Sequence, residues 1–182
     1  SVAYCGYNVP LHSDIKVKNM SKHLRNLYPK RRNQLLHILD IDEEWQLNRI
    51  SEGQRKRVQL YLNLLKPFDV CLLDEITVNL DILVKYKLLN YLKKEALINN
   101  SCILYVTHIF DGLDEWYDSM IYINKQGFID EVPKEIINSY GSIYKYLLNS
   151  FEEESILNDN DREQKSDKIA LRNAGGYSDG VL

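Results

Sequence analysis

A short apolar run that ends in two adjacent acids constrains the fold more than any other feature. Val70-Cys71-Leu72-Leu73 follows Lys66-Pro67 and leads directly into Asp74 and Glu75. Such a run predicts a strand that is buried on both faces of a parallel sheet. Because ligands bind at the carboxyl ends of these strands, we expect the two acids at the rim, where a carboxylate can hold a divalent cation. Surface acids that merely end a strand are the alternative.

Strand-like and helix-like segments alternate along the rest of the chain. Further strands are predicted at Val2–Cys5, at Ser101–Thr107 as a second buried strand, and at Met120–Ile123 and Phe128–Ile129, which form a hairpin around residues 125–127. Helices are predicted from Asp14, from Pro29, after an N-cap at Ser51, from Asn79 or Asp81, and around residues 143–148. This alternation favours an α/β fold with a mostly parallel sheet.

Composition limits the functional classes. Residues 151–182 carry a net charge of −4 and residues 1–150 a net charge of +1, so charge alone does not indicate nucleic-acid binding. No apolar run approaches the roughly 20 residues of a membrane span. Three cysteines, Cys5, Cys71 and Cys102, lie in apolar segments without metal-ligand spacing, which predicts buried free thiols in a reducing compartment. We therefore expect a location in the cytoplasm, and also in the nucleus.

Two further polar segments could meet a phosphate. Ser51-Glu52-Gly53-Gln54 begins a helix, whose backbone N–H groups and dipole favour an anion, and Gly53 permits close approach of the backbone. A plain helix cap is the alternative. His108 follows the strand at Ser101–Thr107, so its imidazole could bond a terminal phosphate, although a structural histidine is common there. Arg55-Lys56-Arg57 is interpreted as a solvated face rather than a nucleic-acid contact.

The order of these segments resembles the ATP-binding cassette (ABC) ATPases. S-x-G-Q is similar to their signature loop, Val70–Glu75 to Walker B, Asn79-Leu80-Asp81 to the D-loop and His108 to the switch histidine. The resemblance covers about residues 1–130. It implies a P-loop NTPase-like, mostly parallel sheet with a helical signature subdomain, as in the C-terminal portion of an ABC ATPase domain. Residues 1–150 would then comprise a helical part, about 10–66, and a catalytic α/β part, about 67–131, followed by an acidic, disordered tail at 151–182.

Two longer segments narrow the resemblance. LLKPFDVCLLDEITVNLD (64–81) and YVTHIFDGLDEW (105–116) are similar to soluble cassette ATPases associated with the eukaryotic carbon-catabolite-repression–NOT complex. Most transporter cassettes have Pro where this chain has Ile76. The resemblance therefore implies a soluble ATPase that regulates a transcription or mRNA-turnover complex, with subunits of that complex as partners. An ATPase subunit of a membrane transporter and a non-enzymatic interaction module are the alternatives.

The resemblance also implies roles for individual residues, with ATP and Mg²⁺ as ligands. Asp74 would hold Mg²⁺ through water, Glu75 would polarise or deprotonate the attacking water, and His108 would contact the γ-phosphate. In a head-to-tail dimer of cassettes, the partner's ATP would be bound by Ser51, Gly53 and Gln54. The dimer interface would include Asp81.

One expected motif is missing. A phosphate-binding loop reads G-x-x-x-x-G-K-[ST], and none of the eight glycines is followed by Lys. We therefore expect the sequence to be part of a longer chain whose Walker-A loop precedes Ser1, and we expect these 182 residues alone to be inactive. A protein that dispenses with ATP is the alternative. The Gln that the family has in its Q-loop is also absent near Tyr7 and Asn8, so no role is assigned there.

Overall fold

Three parallel strands form the central sheet. The structure, a computed structural model, describes residues 1–6, 14–24, 26–123, 127 and 129–152. The sheet has the order β1 (Val2–Cys5), β2 (Val70–Asp74) and β3 (Cys102–Val106). The chain divides into two compact units, Ser1–Gly112 and Leu113–Leu182, and this sheet lies in the first. The expected α/β organisation with a parallel sheet is therefore confirmed.

The first unit contains four helices among the described residues. They are α1 (Val17–Met20), α2 (Pro29–Ile38), α3 (Glu52–Leu64) and α4 (Ile82–Asn99). Pro29 begins α2, where its fixed φ suits the first turn. Asp81, not Asn79, is the N-cap of α4. The helix expected from Asp14 begins only at Val17 and spans four residues, and Lys16 at its N-cap position makes no side-chain capping bond.

Arg31 joins three helices of this unit. Its Nε donates to the carbonyl of Leu64 at 2.7 Å, its guanidinium forms an ion pair with Glu95, and it lies over the rings of Phe68 and Tyr91 at 5.3 Å and 5.7 Å. Only 10% of the Arg31 side chain is exposed. α3 also contacts β1 and α4 contacts β3, so this helical layer packs on the sheet.

The sheet is buried on one face only. The buried side chains are Ala3, Cys5, Cys71 and Leu73, whereas the exposed ones include Val2, Tyr4, Leu104 and Val106. The strand predicted at Ser101–Thr107 is confirmed as β3, but its predicted burial is wrong, because β3 pairs with β2 alone among the described strands and alternates exposed and half-buried residues. Cys102 is exposed, contrary to expectation, while Cys5 and Cys71 are buried free thiols. Val70 and Leu72 are half-buried, so β2 is not buried on both faces either.

The second unit contains an antiparallel pair, β4 (Ser119–Ile123) and β5 (Ile129–Pro133). This pair confirms the predicted hairpin, although residues 124–126 and 128 of its connection lie outside the described residues. A helix α5 (Lys134–Tyr140), which was not predicted from the sequence, follows and is capped at its C-terminus by Gly141 with φ 86°. Residues 143–152 are helical, as expected, and the rest of the acidic tail lies outside the described residues. Of the helices described, none has the length and apolarity needed to cross a membrane.

Candidate functional site

The register of the parallel sheet brings the ends of β2 and β3 together. Asp74, the last residue of β2, pairs with Val106, the last residue of β3. The backbone N–H of Glu75 then donates to the Val106 carbonyl at 3.0 Å, which continues the ladder by one residue. Glu75 therefore lies beside Thr107 and His108, at the edge of the sheet where ligands of parallel sheets bind. We call Asp74 and Glu75 the carboxylate edge.

The Glu75 carboxylate is held by the two residues that follow β3. Glu75 Oε1 lies 2.7 Å from His108 Nδ1 and accepts from the His108 backbone N–H at 2.9 Å. Glu75 Oε2 accepts from Thr107 Oγ1 at 3.2 Å. The backbone of Glu75 has φ 48°, a left-handed conformation that costs a non-glycine residue on the order of 1 kcal/mol and is common at functional sites. The expected proximity of Glu75 and His108 is confirmed, and Thr107 is added as a residue that fixes the carboxylate.

Asp74 lies at the same edge with an exposed side chain. The Tyr4 hydroxyl, from β1, lies 3.4 Å from Asp74 Oδ2. The Tyr4 ring also covers Gly6, where a Cβ would lie 2.2 Å from the hydroxyl oxygen. Tyr4 was not predicted at this edge, because in the sequence it is only one position of a predicted strand. Its placement one residue before the last residue of a parallel strand could have indicated it.

A cavity opens beside the carboxylate edge. It has a volume of about 460 Å³ and is lined by Gly6, Glu52, Lys56, Asp74, Glu75, Val78 and Asn79. Three carboxylates and one ammonium give its lining a net negative charge, which suits a cation more than an isolated anion. Mg²⁺ usually keeps several waters and binds through one or two carboxylates plus phosphate oxygens. Asp74 and Glu75 fit that requirement, and no group of three or more His, Cys, Asp or Glu side chains in the described ranges forms a fuller metal site.

The basic run at Arg55–Arg57 is not a solvated face, so that interpretation is wrong. Lys56 is 9% exposed, and its Nζ donates to the Gly6 carbonyl at 3.1 Å. Burial lowers the pKa of the Lys56 ammonium, and the charges of Cys5 and Asp74 oppose that lowering of its pKa. Arg55 donates to the Ile50 carbonyl at 2.8 Å. The sequence carried a signal, because Lys56 is four residues before Leu60 and eight before Leu64, on one buried stripe of α3.

The Ser51–Gln54 segment forms a capping box at the start of α3. Ser51 Oγ accepts from the Gln54 backbone N–H at 3.2 Å, and Gln54 Oε1 accepts from the Ser51 backbone N–H at 2.9 Å. The helix cap that the sequence left open as the alternative to an anion-binding segment is therefore observed. Of this segment only Glu52 lines the cavity at the carboxylate edge, whereas Gln54 lines another cavity with Trp45. Within the described part of one chain, no hydrogen bond joins Ser51 or Gln54 to Glu75 or His108.

Gly53 and Asp81 contact neighbouring parts of the same chain. A Cβ on Gly53 would lie 2.9 Å from the carbonyl oxygen of Asn79, so the close approach that this glycine permits is to the backbone before α4. Asp81 Oδ1 accepts from the Val84 backbone N–H at 2.9 Å, and Asp81 Oδ2 pairs with Arg57 at 3.2 Å. Both oxygens of Asp81 therefore have partners within the chain.

Comparisons with known proteins identify relatives of this chain. No family model matches it. It is 47% identical over 122 residues to "ABC transporter I family member 20" of Arabidopsis thaliana. The aligned residues cover 67% of this chain and 37% of the relative. It is 39% identical over 123 residues to "CCR4-associated factor 16" of Saccharomyces cerevisiae, 67% of this chain and 43% of that protein. The chain thus spans about two fifths of the length of these relatives.

Solved structures agree on the fold. An "ATP binding subunit of ABC transporter" matches with a TM-score of 0.65 and 18% identity over 77% of this chain and 62% of the solved one. A dimeric ATP-binding cassette in a post-hydrolysis state, bound to ADP and Pi, matches with a TM-score of 0.58 and 21% identity over 73% of this chain and 62% of that structure. The chain therefore belongs to the ATP-binding cassette ATPases and has the P-loop NTPase-type fold of part of their ATPase domain.

Proposed function

We propose that the complete gene product containing this chain binds and hydrolyses ATP. The observation that carries the proposal is the contact of His108 with Glu75 at the carboxyl edge of a parallel sheet, next to the exposed carboxylate of Asp74. Membership of the ATP-binding cassette ATPases supports it, as does a matching structure with ADP and Pi. The phosphate-binding loop that such hydrolysis requires is expected outside these residues, so these 182 residues alone are proposed to be inactive.

In this proposal each residue of the edge has a separate task. Asp74 would hold Mg²⁺ through water, and the ion, when bound, would neutralise charge on the phosphates. Glu75 would accept a proton from the attacking water. Among the described residues, Oε1 of Glu75 accepts from the His108 backbone N–H and lies 2.7 Å from His108 Nδ1, while Oε2 accepts from Thr107 Oγ1 alone, so Oε2 keeps a lone pair for that proton.

His108 would align the terminal phosphate with the water. If Nδ1 donates to Glu75, then Nε2 can donate to a phosphate oxygen only when the ring carries both protons. The contact with Glu75 would hold the ring in place beside the γ-phosphate. That position matches the need of phosphoryl transfer for orientation and charge stabilisation.

The Ser51–Gln54 segment would act on a second chain. Gln54 lines a different cavity from the one at the carboxylate edge, which is consistent with Ser51, Gly53 and Gln54 binding the partner's ATP in a head-to-tail dimer. The dimeric matching structure supports such a pair. Asp81 would lie at the interface while keeping its bond to Val84.

The cellular role is proposed as regulation of a transcription or mRNA-turnover complex by a soluble, cytoplasmic or nuclear ATPase. The similarity to a protein named CCR4-associated factor 16 favours it. An ATPase subunit of a membrane transporter is equally supported, because other relatives and matching structures carry transporter names. Purification of the native protein separates these functions: co-purification with carbon-catabolite-repression–NOT subunits supports the first, and with a membrane-spanning subunit the second.

The Glu75→Gln variant tests ATP hydrolysis. The complete gene product should lose about 100-fold or more in kcat, because the amide cannot accept the proton of the attacking water. Glu131→Gln makes the same chemical change on the exposed face of β5 and should leave kcat unchanged. Equal turnover by the Glu75→Gln variant and the wild type would refute the proposal. Absence of ATP binding by the complete gene product would instead favour a non-enzymatic interaction module.

A further inference from the structure

Lys56 is a buried cation that the proposed mechanism does not use. It lies in the second turn of α3, is 9% exposed, and lines the cavity that Asp74 and Glu75 also line. The side chain spans from this helix to the carboxyl end of β1, where Nζ donates to the Gly6 carbonyl at 3.1 Å. It is therefore a direct link between the helix that begins with the Ser51–Gln54 segment and the sheet edge.

Packing alone does not call for a lysine at this position. The neighbouring positions of the same buried stripe are Leu60 and Leu64, which fill the interface with apolar side chains. Burying an ammonium carries a desolvation penalty that a leucine or methionine would avoid. A buried charge beside a cleft is a candidate functional group, and here burial lowers the pKa of Lys56 while the nearby charge of Asp74 opposes that change.

Two other contacts fix the same part of α3 to the loop before α4. The backbone at Gly53 approaches the Asn79 carbonyl so closely that a Cβ would lie 2.9 Å from it. Arg57 pairs with Asp81 at 3.2 Å. With Lys56 bound to Gly6, the first two turns of α3 are thus connected to two of the segments that surround the carboxylate edge.

We infer that Lys56 is a positioning residue for ATP hydrolysis, which sets the spacing between the Ser51–Gln54 segment and the Asp74–Glu75 carboxylates by binding the end of β1 to α3. The inference rests on the proposed ATPase function. In a dimer, the Ser51–Gln54 segment of one chain and the carboxylate edge of the other would meet the same nucleotide, so an error in this spacing would misalign both sites at once. Misplacement of reacting groups by about 1 Å can reduce a rate 100-fold.

The test compares variants of the complete gene product by kcat and KM for ATP and by thermal unfolding. Lys56→Met keeps the apolar stem and removes the ammonium. Lys56→Arg restores a cation that can donate to Gly6. Lys66→Met removes a lysine at an exposed position and controls for net charge. We expect Lys56→Met to reduce kcat by about tenfold or more with little change in KM, Lys56→Arg to recover most of the loss, and Lys66→Met to match the wild type.

The possible results distinguish the proposed role of Lys56 from the proposed ATPase function. If the wild type shows turnover that depends on Glu75 and Lys56→Met retains a kcat within about twofold of it, the role of Lys56 is overturned and the ATPase function stands. A Lys56→Arg variant as impaired as Lys56→Met would overturn the role as well. A wild type without turnover dependent on Glu75 would overturn both. If Lys56→Met does not fold, Lys56→Gln provides the same comparison, because it also removes the charge.

Discussion

Glu75 Oε1 lies 2.7 Å from His108 Nδ1, although 32 residues separate the two in the sequence. The relationship follows from the parallel pairing of β2 with β3, which places the residues after Asp74 and after Val106 at the same edge. The backbone N–H of His108 adds a second bond to the same oxygen at 2.9 Å. A single chain therefore orients the carboxylate and the imidazole before any partner binds.

Thr107 is predicted to orient Glu75. Thr107→Val removes the hydroxyl that donates to Glu75 Oε2 at 3.2 Å while it keeps the shape of the side chain. We expect kcat of the complete gene product to fall about tenfold, since the carboxylate is then held on one oxygen only. Steady-state ATPase assays measure the effect, with Thr107→Ser as the matched control that keeps the hydroxyl. A Thr107→Val enzyme as fast as Thr107→Ser would show that this bond does not matter for hydrolysis.

Gly53→Ala tests the close contact between α3 and the backbone before α4. An alanine in a helix normally stabilises a protein by about 1 kcal/mol relative to glycine. Here the added Cβ would lie 2.9 Å from the Asn79 carbonyl oxygen, and a backbone atom cannot move aside cheaply. We expect the free energy of unfolding to fall by about 1–3 kcal/mol in urea denaturation. A gain in stability would mean that α3 and this loop are farther apart than the structure has them.

Arg31 is predicted to contribute strongly to stability through its buried ion pair with Glu95. Only 10% of its side chain and 16% of that of Glu95 are exposed, so Arg31→Met leaves a buried carboxylate without its partner. The free energy of unfolding should fall by about 3–5 kcal/mol. Lys16→Met, which breaks an exposed pair with Glu44, is the control and should cost much less, because solvent screens that pair. Similar losses in the two variants would contradict the buried position of Arg31.

Much of this site could be predicted from local sequence. The apolar run before Asp74 and the strand before His108 are local signals, and the rule for parallel sheets then brings their ends together. The capping box needs only Ser51 and Gln54 three residues apart. The contact of Lys56 with Gly6 and the exposure of β3 could not be derived in this way. The first depends on reaching Gly6, 50 residues away in the sequence, and the second on which elements cover the sheet.

Glu44 is predicted to make stability depend on pH in the acidic range. Hydrogen bonds from Lys16 and Lys18 lower the pKa of the Glu44 carboxyl from 4.5 to about 2. Because the folded pKa lies below the unfolded one, this contribution is fully present above about pH 4.5 and is lost as the pH falls towards about 2. Thermal unfolding between pH 5 and pH 2 should show a smaller decrease for Glu44→Gln than for the wild type. Parallel curves would contradict the assignment.

The most direct measurement is a double-mutant cycle of kcat for Glu75→Gln and His108→Ala in the complete gene product. If the two side chains act as a unit on one phosphate, the double variant should be no slower than the slower single variant, because either change already disables the pair. The opposite result is a double variant whose kcat is reduced by the product of the two single reductions. It would show that Glu75 and His108 act independently, and it would contradict the account.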